Sequence, residues 1–352
     1  MLKNEIIAGP TSPGSNSEAV TKNKTNLSQM RNILVTYKAN EKEKEFYRNF
    51  FKDHVISFLD DYTETDKKEK ILLESEIIIA WNPTKELEKF DKSLFRNFHL
   101  IQLLSAGYDH LELDMFPDKC LIAANQGAYA TPMAEHTVAM ILALAKKLRL
   151  YHNRLAEGEF EQMKSITRQV KGATLGIIGF GSIGKEVTRL MRSFDVKIMA
   201  LNTSGKTSED VDFTGTLDDL DHLLIHSDFV VISIPLTDET EGLIGKRELE
   251  LMKNDAILIN VARGPIVKEK DLYDHLKNHP DFSAGIDAWW IEPFKFGQFK
   301  INYPFFELPN LLGSPHNSSI VENILIEGAR KAAENVKRFL NNEEIKGVVK
   351  RT

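Results

Sequence analysis

Thr174-Leu-Gly-Ile-Ile-Gly-Phe-Gly-Ser-Ile-Gly184 is a short apolar run ending in a Gly-x-Gly-x-x-Gly turn, and a helical stretch from Lys185 to Ser193 follows it. Strand, turn and helix in that order make a phosphate-binding unit. Gly179 permits the tight turn, Gly181 lets a pyrophosphate approach the backbone, and Gly184 allows close packing of helix on strand. Ser182 and Ile183 open the helix, whose N-terminus attracts anions. The stretch predicts a dinucleotide cofactor and an open parallel sheet.

Such a fingerprint calls for an acid about 20 positions on, at the end of the second strand, to bond the adenosine ribose. This chain has Asn202 there, followed by Thr203, Ser204 and Lys206. Asn bonds a ribose hydroxyl but carries no charge to repel a 2′-phosphate, so NADP(H) is favoured. A Lys206 that is only a solvated loop residue leaves NAD(H) open.

Further strand-like runs cover 197–201, 229–234, 256–261 and 283–288, with helical stretches between most of them. Upstream, strands are expected at Arg31–Tyr37, Ile77–Trp81 and Leu100–Leu104. Helices are expected from Glu41 to Val55, from Thr131-Pro132 to about Leu155, and from about Val321 to Leu340. Alternating strands and helices imply βαβ units. The expected fold is therefore α/β with two domains: residues 131–319 bind the dinucleotide, and residues 31–130 join 320–352 as a discontinuous substrate domain.

Arg263, Glu292 and His316 each fall just past a short apolar run. In a parallel sheet the carboxyl ends of the strands share one edge, so a cation, a carboxylate and an imidazole converge beside the cofactor. Hydride transfer to a carbonyl needs a charge to hold substrate, a proton donor and an acid to tune that donor.

With 352 residues, 42% of them apolar, the chain exceeds what one core usually serves. A net charge of −6 without a long Lys/Arg run argues against nucleic acid. The longest apolar stretches, such as Val138–Ala145, fall far short of the roughly 20 residues that span a bilayer. One cysteine, Cys120, reads as a small buried apolar residue in a reducing compartment, and the expected location is the cytoplasm. Half of the first 30 residues, 15 in all, are Gly, Pro, Ser, Thr or Asn, which reads as a disordered tail rather than a targeting signal.

The ordered motifs Leu104-Ser-Ala-Gly-Tyr-Asp, Met133-Ala-Glu-His-Thr, Gly179-Phe-Gly-Ser-Ile-Gly, Ile234-Pro-Leu-Thr, Ile259-Asn-Val-Ala-Arg-Gly, Gly285-Ile-Asp-Ala-Trp-Trp-Ile-Glu-Pro and Ser314-Pro-His make the chain resemble the D-isomer-specific 2-hydroxyacid dehydrogenase family. The likeness runs from Arg31 to the C-terminal helix. It implies a Rossmann dinucleotide domain inserted in a flavodoxin-like substrate domain, a homodimer formed through the Thr131 helix, and a small 2-oxo or 2-hydroxy acid as substrate. By the same resemblance Arg263 binds the substrate's carboxylate and carbonyl, His316 is the proton donor, and Glu292 pairs with His316. Ser105, Ala106 and Gly107 receive the carboxylate on backbone amides. Pro235, Val261 and Ala262 lie in cofactor-facing motifs, and Asp287 lies near the nicotinamide.

Three places depart from the pattern or leave roles open. Trp289-Trp290 replaces a smaller aromatic pair and either shapes the pocket or packs the interdomain face. Trp81 and Asn82 sit where substrate side-chain recognition is expected. The usual glycines after His316 are Asn317-Ser318-Ser319, and Ser318 is a candidate nicotinamide contact. His222 and His226 read as a solvated helix face, and the chemistry requires no metal. Relatives that oxidise phosphite, or that sense dinucleotides as corepressors, give the rival readings.

Overall fold

A computed structural model describes residues 30–349, so the expected tail lies, except for Met30, outside the described residues. Strands β1 Asn32–Val35, β2 Val55–Phe58, β3 Ile77–Ala80, β4 Leu100–Leu103 and β5 Leu121–Ala123 form a parallel sheet in the order β2-β1-β3-β4-β5. That is the flavodoxin-like order. Strands β6 Thr174–Ile178, β7 Lys197–Leu201, β8 Phe213–Gly215, β9 Phe229–Ile232, β10 Ile257–Asn260, β11 Ser283–Ile286 and β12 Leu311–Gly313 form a second parallel sheet in the order β12-β11-β10-β9-β6-β7-β8. The order reverses between β6 and β9, and the Gly-rich turn follows β6. A doubly wound sheet opens its crevice at that switch point.

Central strands such as Ile77-Ile-Ile-Ala and Phe229-Val-Val-Ile are buried along their whole length. Helices cover both sheet faces, which is why these runs are continuously apolar rather than alternating. The C-terminal helix, Ile324–Leu340, turns Ala329, Ala332, Ala333 and Val336 onto Ile33, Val35, Ile79 and Leu100 of the first sheet. Its small residues let helix and sheet approach closely.

Several boundaries differ from expectation. The first helix, Glu41–Phe50, stops short of Val55, which instead begins β2 beside β1. The helix expected from Thr131 to Leu155 is two, Ala130–Ala145 and Leu148–Ala156, broken at Lys147, whose φ of 49° is left-handed. No Gly or Pro announces that break. The last helix begins at Ile324 because Asn323 takes φ 61°, a conformation Asn tolerates better than most residues. Strands β5 and β8, of three residues each, are too short to stand out.

His275, on the helix Glu269–Asn278, packs its ring against His279 and Phe282 at centroid distances of 4.1 and 4.6 Å. Burial first, and His279 second, push its pKa down to about 4. The unfolded chain takes up that proton near the ordinary value of about 6.5, so the stability contribution is full above that pH and lost as pH falls towards 4. We expect up to about 3 kcal/mol of stability to disappear across this window. A His275→Phe chain should then show a flatter stability curve by urea unfolding; parallel curves would contradict the assignment.

Candidate active site

The glycine turn has the geometry its three positions require. Gly179 has φ +99°, and a Cβ there would lie 2.8 Å from the Ile234 backbone nitrogen. At Gly184 a Cβ would meet Ile177 Cγ2 at 2.8 Å and the Gly179 carbonyl oxygen at 2.9 Å, where the helix Ser182–Met191 crosses the strand. At Gly181 an added Cβ meets no heavy atom within 4 Å. Two positions are thus filled by the protein's own packing, while the middle one faces open space next to a helix N-terminus. That combination fits a pyrophosphate.

Past β7, Asn202 organises its own turn. Its side chain accepts from Ser204 N–H and Oγ–H, both at 3.0 Å, and donates to the Lys206 carbonyl at 2.9 Å. Thr203, Ser204 and Lys206 are exposed on that turn. Pro235 is exposed just beyond β9, next to Ile234, which packs on Gly179. The Val261 and Ala262 side chains are both buried in the core.

Strands β10, β11 and β12 are neighbours, and the segments leaving their carboxyl ends carry Arg263, Glu292 and His316. His316 Nδ1 lies 2.7 Å from Glu292 Oε2, while the other Glu292 oxygen accepts the Trp289 N–H at 2.7 Å. The ring nitrogen Nε2 lies outside this pair. His316 sits at φ +50°, a left-handed conformation that costs energy unless its surroundings enforce it.

Asp287 supplies the enforcement. Its carbonyl accepts the His316 N–H at 3.0 Å, and its carboxylate accepts Ser314 Oγ–H at 2.5 Å and the N–H groups of Asn317 and Ser318 at 3.1 Å each. Burial alone would raise its pKa. Hydrogen bonds from Ser314 and Ser318, with the nearby His136, outweigh that and hold it below the usual carboxylate range. His136 Nε2 lies 3.0 Å from Ser314 Oγ and extends the network into the helix Ala130–Ala145. Asp287 is fully buried and Ser318 nearly so. The Asp287 carboxylate and the Ser318 backbone N–H thus help to hold the loop that carries His316.

The Arg263 side chain reaches from β10 to the loop after β4. Its guanidinium donates to the Ala262 carbonyl at 2.8 Å, and its Nε and Nη2 both lie 3.1 Å from Asp109 Oδ1. It also lies flat on Gly107, where a Cβ would fall 1.9 Å from Nη2. Burial pushes the Asp109 pKa up, but the guanidinium more than reverses this and keeps it below the usual range. Ser105 Oγ–H closes the loop onto the Gly107 carbonyl at 2.8 Å, and the Ser105 carbonyl accepts Asn125 N–H at 2.9 Å. Arg263 and the Ser105–Gly107 loop are thus in contact, and Ala106 lies between them in sequence.

Asn82 is buried, and its Oδ1 caps the helix Pro83–Leu87 by accepting Lys85 N–H at 3.3 Å. Trp81 packs with Ala106 against Ala128, Tyr129 and Ile324. Both residues are tied down by the half-buried Glu86 carboxylate, which accepts their N–H groups at 3.1 and 2.6 Å. Trp289 and Trp290 pack with Phe305 in the core rather than in the cleft, and their indole N–H groups donate to the carbonyls of Ser314 and Val267 at 2.8 and 2.6 Å. Asp109, His136 and Ser314 carried no role in the sequence reading, although each lies within a quoted motif. Among the described residues no group of three or more His, Cys, Asp or Glu is arranged to hold a metal.

Comparison with known proteins adds a family model, described as D-isomer specific 2-hydroxyacid dehydrogenase, NAD binding domain, which matches residues 138–318. The chain is 30% identical over 291 residues to a glyoxylate reductase of Thermococcus gammatolerans, covering 80% of this chain and 85% of that protein. It is 28% identical over 275 residues to a hydroxypyruvate reductase of Thermotoga maritima, covering 78% and 88%. A D-3-phosphoglycerate dehydrogenase of Methanocaldococcus jannaschii is 29% identical over 82% of this chain, but the match spans only 54% of that longer protein. Among solved structures, the D-lactate dehydrogenase of Aquifex aeolicus with NAD and lactic acid is similar at a TM-score of 0.68 and 26% identity, covering 89% of this chain and 96% of that one.

Proposed function

Because this chain belongs to the D-isomer specific 2-hydroxyacid dehydrogenase family, we propose that it reduces a small 2-oxo acid to the D-2-hydroxy acid with a nicotinamide dinucleotide. The observation that carries this reading is the His316–Glu292 pair at 2.7 Å, on the same strand-end edge as Arg263. The bound nicotinamide would supply the hydride. Arg263 presents paired planar donors to the carboxylate and carbonyl, a geometry that lysine cannot match. The backbone of Ser105–Gly107 lies against that guanidinium and offers amides to the same carboxylate. His316, with Nδ1 engaged by Glu292, holds a proton on Nε2 for the carbonyl oxygen and takes it back in oxidation. Glu292 fixes the ring's orientation and tautomer.

The turn Asn202–Lys206 favours NADP(H), because an amide and a lysine stand where a carboxylate would repel the 2′-phosphate. Asn202→Asp is expected to shift the kcat/KM ratio towards NAD(H) by about tenfold or more, a change of roughly 1.4 kcal/mol. Steady-state kinetics with both cofactors measures it, and an unchanged ratio would refute the assignment.

We further propose that residues 131–319 act as the dinucleotide domain between the two parts of the substrate domain, since the last helix shares its core with β1, β3 and β4. A homodimer through the helix pair 130–156 is the matching assembly. Leu148 and Leu155 are exposed on that pair, and Phe160, Met163 and Ile166 are exposed just beyond it, apolar side chains of the kind that interfaces cover. Among the described residues no helix is long and apolar enough to cross a membrane.

Absorbance decides the reaction. NADPH mixed with glyoxylate, hydroxypyruvate or pyruvate should be oxidised, whereas tight dinucleotide binding without turnover of any of them would favour a sensor.

A further inference from the structure

Arg263 is held by the protein on three sides. Its Nε–H donates to Asp109 Oδ1 at 3.1 Å, Nη2 lies 3.1 Å from the same oxygen, and Nη1 donates to the Ala262 carbonyl at 2.8 Å. Gly107 lies so close to Nη2 that no Cβ would fit between them. Asp109 therefore occupies the edge that Nε shares with Nη2. A guanidinium has five N–H groups, so one on each terminal nitrogen remains outside these contacts. Two such donors in one plane are what a carboxylate and its neighbouring carbonyl can take together.

The partners of this ion pair come from different sheets. Asp109 lies on the loop after β4 of the first sheet, and Arg263 on the segment after β10 of the second. Lys85 makes a second tie between the same two sides by donating to the Phe294 carbonyl at 2.7 Å. Of the two ties, only that of Asp109 reaches the guanidinium. An arginine free to turn about its side-chain torsions must be ordered when a ligand binds, which costs affinity. A fork already fixed loses less.

We propose that Asp109 is a positioning residue for substrate binding: it orients Arg263 so that the remaining N–H groups meet the 2-oxo acid, and it does so only when the loops of the two sheets are together. In this role Asp109 touches no substrate and acts through Arg263. This rests on the dehydrogenase reading above, and the test separates the two.

The substrate is whichever of glyoxylate, hydroxypyruvate and pyruvate the wild-type protein reduces. Asp109→Ala should raise its KM about tenfold or more, while kcat and dinucleotide affinity stay within about twofold. Asp109→Asn, which keeps an acceptor oxygen without the charge, should fall between, at about threefold. In the Arg263→Lys background Asp109→Ala should add less than about threefold, because a lysine has no fork to orient. A merely structural role would weaken kcat, KM and cofactor binding together, in either background. An unchanged KM in either Asp109 variant, or losses that multiply in the double variant, overturns the Asp109 assignment while the dehydrogenase reading stands. Asp109→Asn keeps the shape of the native side chain and decides the matter should Asp109→Ala fail to fold. No turnover of any of the three acids by the wild-type protein overturns both.

Discussion

His316→Asn is expected to lower kcat/KM for 2-oxo acid reduction by about a thousandfold, within the usual contribution of a positioned general acid. Asparagine is the informative replacement because His316 sits at φ +50°, and asparagine accepts the left-handed region more readily than most residues. The loop anchored on Asp287 should then keep its course, and only the proton donor is lost. Dinucleotide affinity should stay near wild type, since His316 is remote from the Gly179–Gly184 turn along the sheet order. Single-turnover kinetics together with a cofactor titration separate the two effects. A loss below tenfold with intact cofactor binding would remove His316 from the chemistry.

Arg263→Lys should cost about a hundredfold in kcat/KM, mainly through KM, because a point charge replaces a planar fork that holds carboxylate and carbonyl together. The lysine still offers a positive charge to Asp109, so folding should be little affected and the thermal midpoint should move by only a few degrees for about 1 kcal/mol of lost stability. Equal KM values for wild type and variant would mean that Arg263 serves only to tie the two loops through Asp109 at 3.1 Å.

The strand-end placement of Arg263, Glu292 and His316 was legible in the sequence because each follows an apolar run, and parallel strands deliver their ends to one edge. The glycine turn was legible for a similar reason: Gly179, Gly181 and Gly184 announce a backbone requirement that few other residues meet. What sequence could not give was the direction of side chains in the loops. Asn82 caps a helix with its side chain, and the buried Ser318 donates its backbone N–H to Asp287. Asp287 itself lies at the end of β11 and is buried beneath the loop it orders. Whether a residue at a strand end faces the cleft or the protein depends on long-range hydrogen bonds such as His136 to Ser314, which join positions 178 residues apart.

The same limit explains the missed strands and the broken helix. Strand β8 contains only Phe213-Thr-Gly and shows no apolar run, while β2 begins at Val55, where the helical stretch was expected to end. Lys147 breaks the helix at a position with no Gly or Pro to announce it.

Isotope transfer tests the proposed chemistry most directly. With NADPH deuterated at the hydride position and hydroxypyruvate as substrate, the product should be D-glycerate carrying deuterium on the α-carbon, and the His316→Asn protein should form it about a thousandfold more slowly. Product without the label, product of the L configuration, or an undiminished rate in the variant would contradict the assignment of hydride transfer to this edge of the sheet.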